Sequence, residues 1–73
     1  MGTIGAGSQD NTVTTGFYKV TGTSSSSYST DWGTLLVMAY NSTHVCQIKY
    51  GANAKKIGVR FYSESSWTNW SDL

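Results

Sequence analysis

The sequence has no proline, one cysteine and one histidine among its 73 residues. A lone cysteine, Cys46, excludes a disulfide within the chain. His44 and four scattered carboxylates (Asp10, Asp31, Glu64 and Asp72) do not make the ligand set of a structural zinc site, so neither a metal nor a cofactor is expected. Charge is scarce as well. Charged residues are 12% of the chain and the formal net charge is +1, against about a quarter of residues in an average domain. That leaves no basic stripe for phosphates, and nucleic acid is not an expected partner. The adjacent Lys55 and Lys56 read as solvated turn lysines. No apolar run approaches the ~18 residues of a membrane span, so no membrane insertion is expected. The opening Met1-Gly2-Thr3-Ile4-Gly5 lacks the basic and apolar regions of a signal peptide.

Catalytic signatures are missing too. The carboxylates lie in four separate segments, whereas acid–base chemistry needs titratable groups in one pocket. There is no G-x-S-x-G elbow, no Walker A run and no G-x-G-x-x-G. His44 sits at the edge of a turn and reads as a turn residue. Cys46 sits on what looks like the inward face of a strand and reads as a buried, inert thiol. A glycan-cleaving enzyme would need paired acids, so the chain is not expected to be an enzyme. Asn41-Ser42-Thr43 and Asn69-Trp70-Ser71 are sequons, which matter only in a glycosylating pathway.

What the chain does have is aromatic and hydroxyl side chains. Aromatics make up 14% of it, with three Trp and five Tyr. This composition favours strands and turns over helices. Residues 1–10 are Gly-rich and aperiodic, and read as a linker or the end of a preceding domain. Residues 11–73 read as one β domain. Gly16 to Thr21 alternates and is predicted as the first strand. Gly22 to Trp32, with serines at 24 to 27, is predicted as a long surface loop. Thr34 to Tyr40 is apolar on both faces, which predicts a strand covered on both sides, by the rest of the chain or by a neighbouring subunit. Asn41-Ser42-Thr43 predicts a tight hairpin. In the next strand Cys46, Ile48 and Tyr50 are expected to point inward, with Val45, Gln47 and Lys49 opposite. After a turn at Gly51 to Lys55, Ile57, Val59 and Phe61 alternate with Gly58, Arg60 and Tyr62. Trp67 and Trp70 are expected to lie close together and cap the open edge of the core. The predicted fold is therefore all-β, a small antiparallel meander of about four strands with long surface loops.

A chain this short gains only about 3–5 kcal/mol from its core, and small domains usually add disulfides, metals or subunit contacts. With the first two closed, association with other chains is the expected support.

Several segments carry a resemblance. Thr14-Thr15-Gly16-Phe17-Tyr18-Lys19-Val20 resembles the opening of the pyocin-knob-like domains at the tips of phage tail fibres, and Gly33-Thr34-Leu35-Leu36-Val37 resembles their second strand. Gln47-Ile48, followed by Lys56-Ile57-Gly58-Val59-Arg60, is similar to the third and fourth. Trp67-Thr68-Asn69-Trp70 and Leu73 resemble their closing W-x-x-W element. Two features depart from that pattern: the serine run lacks a proline, and Met38-Ala39-Tyr40 is unusually apolar. The resemblance spans about Asn11 to Leu73. It implies a homotrimeric receptor-binding module at the tip of a virion tail fibre, attaching to a bacterial surface glycan or an outer-membrane receptor. The expected contact residues are Tyr28 and Trp32 in the long loop, Asn53 and Lys55 in the turn, and Tyr62 at the end of the last long strand. The alternative is a structural module that caps or trimerises a fibre and touches no receptor.

Overall fold

Alternating β-branched and aromatic residues build one open, seven-stranded sheet in the computed structural model, which describes residues 2–73. Four long strands form the expected antiparallel meander. They are β2 (Gly16–Thr21), β3 (Gly33–Asn41), β4 (His44–Gly51) and β5 (Lys56–Ser63). Asn41 closes the β3–β4 hairpin by accepting hydrogen bonds at Oδ1 from the Thr43 amide and hydroxyl, each 2.9 Å long. Its Asx geometry competes with strand and so favours the turn.

Residues 2–10, expected as linker, belong to the fold. Gly2–Gly5 is strand β1, paired parallel to β2 so that Ile4 lies beside Val20. Ala6–Asn11 is a 3₁₀ turn whose Gln9 is buried. At the other edge β6 (Ser66–Trp67) and β7 (Ser71–Asp72) both pair with β5. Thr68 bridges between them, its amide donating to the Phe61 carbonyl over 2.8 Å while its hydroxyl receives the Phe61 amide over 3.0 Å.

The long loop folds back across one face of the sheet, together with the 3₁₀ turn and the tryptophans. Beneath them Val20, Leu35, Val37 and Val45 form a small core. Beside it on the same inner face lie Gln47, Lys49 and Arg60, all buried. This reverses the expected orientation of β4. Val45, Gln47 and Lys49 point inward, and Cys46, Ile48 and Tyr50 point to the open face. Strand parity tells which residues share a face, not which face is covered. Here the long stems of Lys49 and Arg60 supply apolar bulk while their heads find partners inside.

Those partners are specific. Lys49 Nζ donates to Gln9 Oε1 at 2.7 Å, to the Tyr28 carbonyl at 2.7 Å and to the Asp31 carbonyl at 2.9 Å. The three protons of an ammonium are thereby used. Gln47 Nε2 donates to the carbonyls of Gln9 and Thr12 over 2.8 and 2.9 Å. Its Oε1 receives Arg60 Nε at 2.9 Å. The Arg60 guanidinium lies 4.0 Å from the Trp67 ring and 4.6 Å from the Trp70 ring, and pairs with Asp10 at 2.9 Å. The two tryptophans thus meet through a shared cation. Burial lowers the pKa of both cations, that of Lys49 to about 8.

Candidate functional site: the open sheet face

The outer face of the same four strands is apolar and uncovered. Register places Phe17, Leu36, Ile48 and Val59 side by side across the sheet. Met38, Cys46 and Phe61 form a second row, and Thr34, Tyr50 and Ile57 a third. Phe17, Met38, Tyr50, Ile57 and Phe61 are each about half exposed. On this face of β2–β5 the register leaves one charged side chain, Lys19, beside Thr34 at the far end from the β3–β4 hairpin. β3 was expected to be dry on both sides. Within the chain only its Leu35 and Val37 side is sealed, and Met38 and Tyr40 stay exposed.

The β3–β4 ladder slips between Ala39 and Asn41. Tyr40 is the extra residue of this bulge, a device that re-aims a side chain. It is 90% exposed. Next to it lies a cleft of about 350 Å³ bounded mainly by Met38, Tyr40, Val45, Cys46, Phe61 and Tyr62, with His44 and Ser63 also lining it. His44 keeps the turn position expected of it, its Nδ1 3.2 Å from the Thr43 hydroxyl. Cys46 is half-buried on this open face rather than inside, and burial still pushes its thiol pKa up.

The expected contact residues divide into two groups. Tyr28 is 5% exposed and is part of the packing. Its ring lies against Gly58 and 5.4 Å from the Trp70 ring, and its hydroxyl donates to Asp72 at 2.5 Å. Burial, and next Asp72, push its pKa up to about 12. Tyr62 is half-buried on the inner face, 5.1 Å from the Trp67 ring. Tyr28 therefore offers no free face for a sugar, whereas Tyr62 also borders the open cleft beside Tyr40.

Trp32, Asn53 and Lys55 do share one end of the sheet. The Ala52 amide donates to the Trp32 carbonyl over 2.9 Å, and Asn53 Nδ2 donates to the Ser25 carbonyl over 3.0 Å. Trp32 is 48% exposed, and Lys55 holds the turn in a left-handed conformation at φ 58°.

Among the described residues no three His, Cys, Asp or Glu side chains gather into a possible metal site. Asp10 and Asp72 are engaged by Arg60 and Tyr28, and Asp31 is buried with Oδ2 on the Ala54 amide. The outer face is an exposed apolar surface, and its residues went unnoticed in the sequence because the inward set of β4 was read in reverse. The signal was there: Arg60 and Gly58 alternate with Ile57, Val59 and Phe61, and an arginine stem over a glycine leaves room for a covering loop. Comparison with protein families, with curated proteins and with solved structures returned no match.

Proposed function

We propose that this domain is a non-catalytic assembly module of the phage tail-fibre-tip kind. Its own loops seal one sheet face, and further copies of the chain cover the other. The observation that carries this reading is the open apolar face itself. A chain that buries Lys49 and Arg60 while leaving Phe17, Met38, Tyr40 and Phe61 in contact with water is half of a larger packed structure. The resemblance in sequence suggests three copies, placed at the distal end of a virion fibre.

Light scattering over a dilution series tests the proposal. The expected mass is a multiple, about threefold, of the 7.9 kDa single chain. A folded species of single-chain mass at every concentration overturns it.

A second reading, attachment to a bacterial surface glycan or an outer-membrane receptor, is favoured by one observation. Trp32, Asn53 and Lys55 are exposed and share the end of the sheet away from the β3–β4 hairpin. An exposed aromatic ring at the same end of the sheet as amide and ammonium groups suits a sugar, and weak contacts gain by repetition across copies. Trp32→Ala with Asn53→Ala is expected to abolish binding of labelled protein to host cells with the assembly intact. Undiminished adsorption refutes the attachment reading and leaves the structural one.

A further inference from the structure

We propose that Tyr40 is the anchor by which copies of this chain join, its ring seated in the apolar cleft of a neighbouring copy. The inference rests on the assembly reading and names its central contact.

Four observations carry it. First, Tyr40 is the most exposed of the large apolar side chains at 90%, although it lies within strand β3. Leaving an aromatic in water forgoes the gain that its burial would bring. The bulge at Tyr40 holds it out from the ladder.

Second, a receptacle lies beside it. The 350 Å³ cleft, which Tyr40 itself borders, is walled by Met38, Val45, Cys46, Phe61 and Tyr62, a mixture of soft sulfur and aromatic surface suited to a ring. His44 and Ser63, also among its lining residues, offer polar groups for the phenol hydroxyl.

Third, the area fits. At roughly 200 Å² per aromatic side chain, the exposed parts of Phe17, Met38, Tyr40, Tyr50, Ile57 and Phe61 give about 600 Å² of apolar surface. That is at the upper limit for a lone protein, about 300–600 Å², and close to the ~800 Å² each partner buries in a stable interface.

Fourth, the face is almost without charge, and its one cation, Lys19, lies across the sheet from Tyr40. An acidic or basic partner would find nothing to pair with here. A second copy brings no like-charge repulsion to the contact. Knob and cleft also belong to one patch, so in a closed ring of copies every Tyr40 is taken and every cleft is filled.

The test uses the whole chain, as wild type and as Tyr40→Ala. Circular dichroism should be unchanged, because an exposed ring supports little of the fold. Association, followed by light scattering on dilution, should weaken by roughly ten- to a hundredfold, the range of a central aromatic anchor. Alkylation of Cys46, a cleft residue, should be slow in the assembled wild type and at least about tenfold faster in the variant, as access decides thiol reactivity. If the wild type assembles and Tyr40→Ala assembles equally well, with Cys46 alkylated at the same rate, the anchor is overturned and the assembly reading stands. If the wild type itself is a single chain, both fall together.

Discussion

Gly58→Ala should bring this domain close to unfolding, although it adds one methyl group. Gly58 lies opposite Lys49 in the β4–β5 ladder, under the Tyr28 ring. A Cβ there would stand 2.5 Å from Cζ and 2.6 Å from Cε2 of Tyr28, well inside the ~3.5–4.0 Å of carbon contact. The ring must move by about 1 Å. It is held at three points: its carbonyl by Lys49, its hydroxyl by Asp72, and its face by Trp70. Overpacking costs about 1–3 kcal/mol, and losing the charged hydrogen bond to Asp72 adds about 1.5–3 kcal/mol. A combined loss of about 3–4 kcal/mol nearly equals the 3–5 kcal/mol expected from a core of this size. Urea unfolding followed by tryptophan fluorescence reads the effect. With a slope near 1 kcal/mol/M, the midpoint should drop by roughly 3 M. Protein concentration must be held fixed, because the proposed assembly would stabilise by mass action. A drop below about 0.5 M would refute the packing argument. The double variant Gly58→Ala with Tyr28→Ala should lose less than the two single losses added, because the methyl then has room. A strictly additive cycle would show that the ring does not rest on Gly58.

Two further outcomes follow from the buried cations. Lys49 titrates near 8 when folded against an ordinary 10.5, so between those pH values the unfolded chain holds a proton the folded one has lost. Stability should therefore rise from about pH 8 to 10.5, by up to ~3 kcal/mol. Tyr28 runs the other way. Its folded pKa of about 12 exceeds the ordinary 10, so the unfolded chain loses its proton first and stability falls above about pH 10. Urea midpoints at several pH values, taken on Cys46→Ser to remove the thiol's own fall above its ordinary 9, should peak near pH 10. A flat profile from 8 to 10 would refute the cost assigned to the buried ammonium. Arg60→Lys keeps the charge but loses the planar group between Trp67 and Trp70 and the bond to Gln47. It should cost about 2–3 kcal/mol in the same assay, and a cost under about 0.5 kcal/mol would show that charge alone suffices.

The strands were legible because local chemistry dictates them. β2 falls at the predicted Gly16–Thr21, and Asn41 to Thr43 closes the predicted hairpin. The β1 strand was not legible. Gly2–Gly5 has no alternation to read, and its pairing with β2 is a parallel contact between segments far apart in sequence. The direction of β4 was misread for a different reason. Placing Cys46, Ile48 and Tyr50 inside follows the rule that apolar residues are buried, but that rule presumes the chain covers its apolar face by itself. Gln9 explains the reversal. Buried in a Gly-rich stretch that carries no pattern, it accepts from Lys49 and lends its own carbonyl to Gln47. Tyr28 was misplaced for the same reason: a serine-rich loop looks solvated until Gly58 is seen beneath it.

The two faces of the sheet do different physical work. Inside, directional bonds from Lys49, Gln47 and Arg60 fix where the 3₁₀ turn and the long loop lie, since each buried donor is satisfied in few arrangements. That network gives a defined placement more than it gives stability, because desolvating two cations offsets much of what their bonds return. The apolar core that remains, chiefly Val20, Leu35, Val37 and Val45, is small even for a short chain. Phe17, Met38, Tyr40 and Phe61 on the outer face would add to stability once covered, as in the proposed assembly. In the proposed assembly, the midpoint of unfolding should climb with protein concentration until the face is fully occupied.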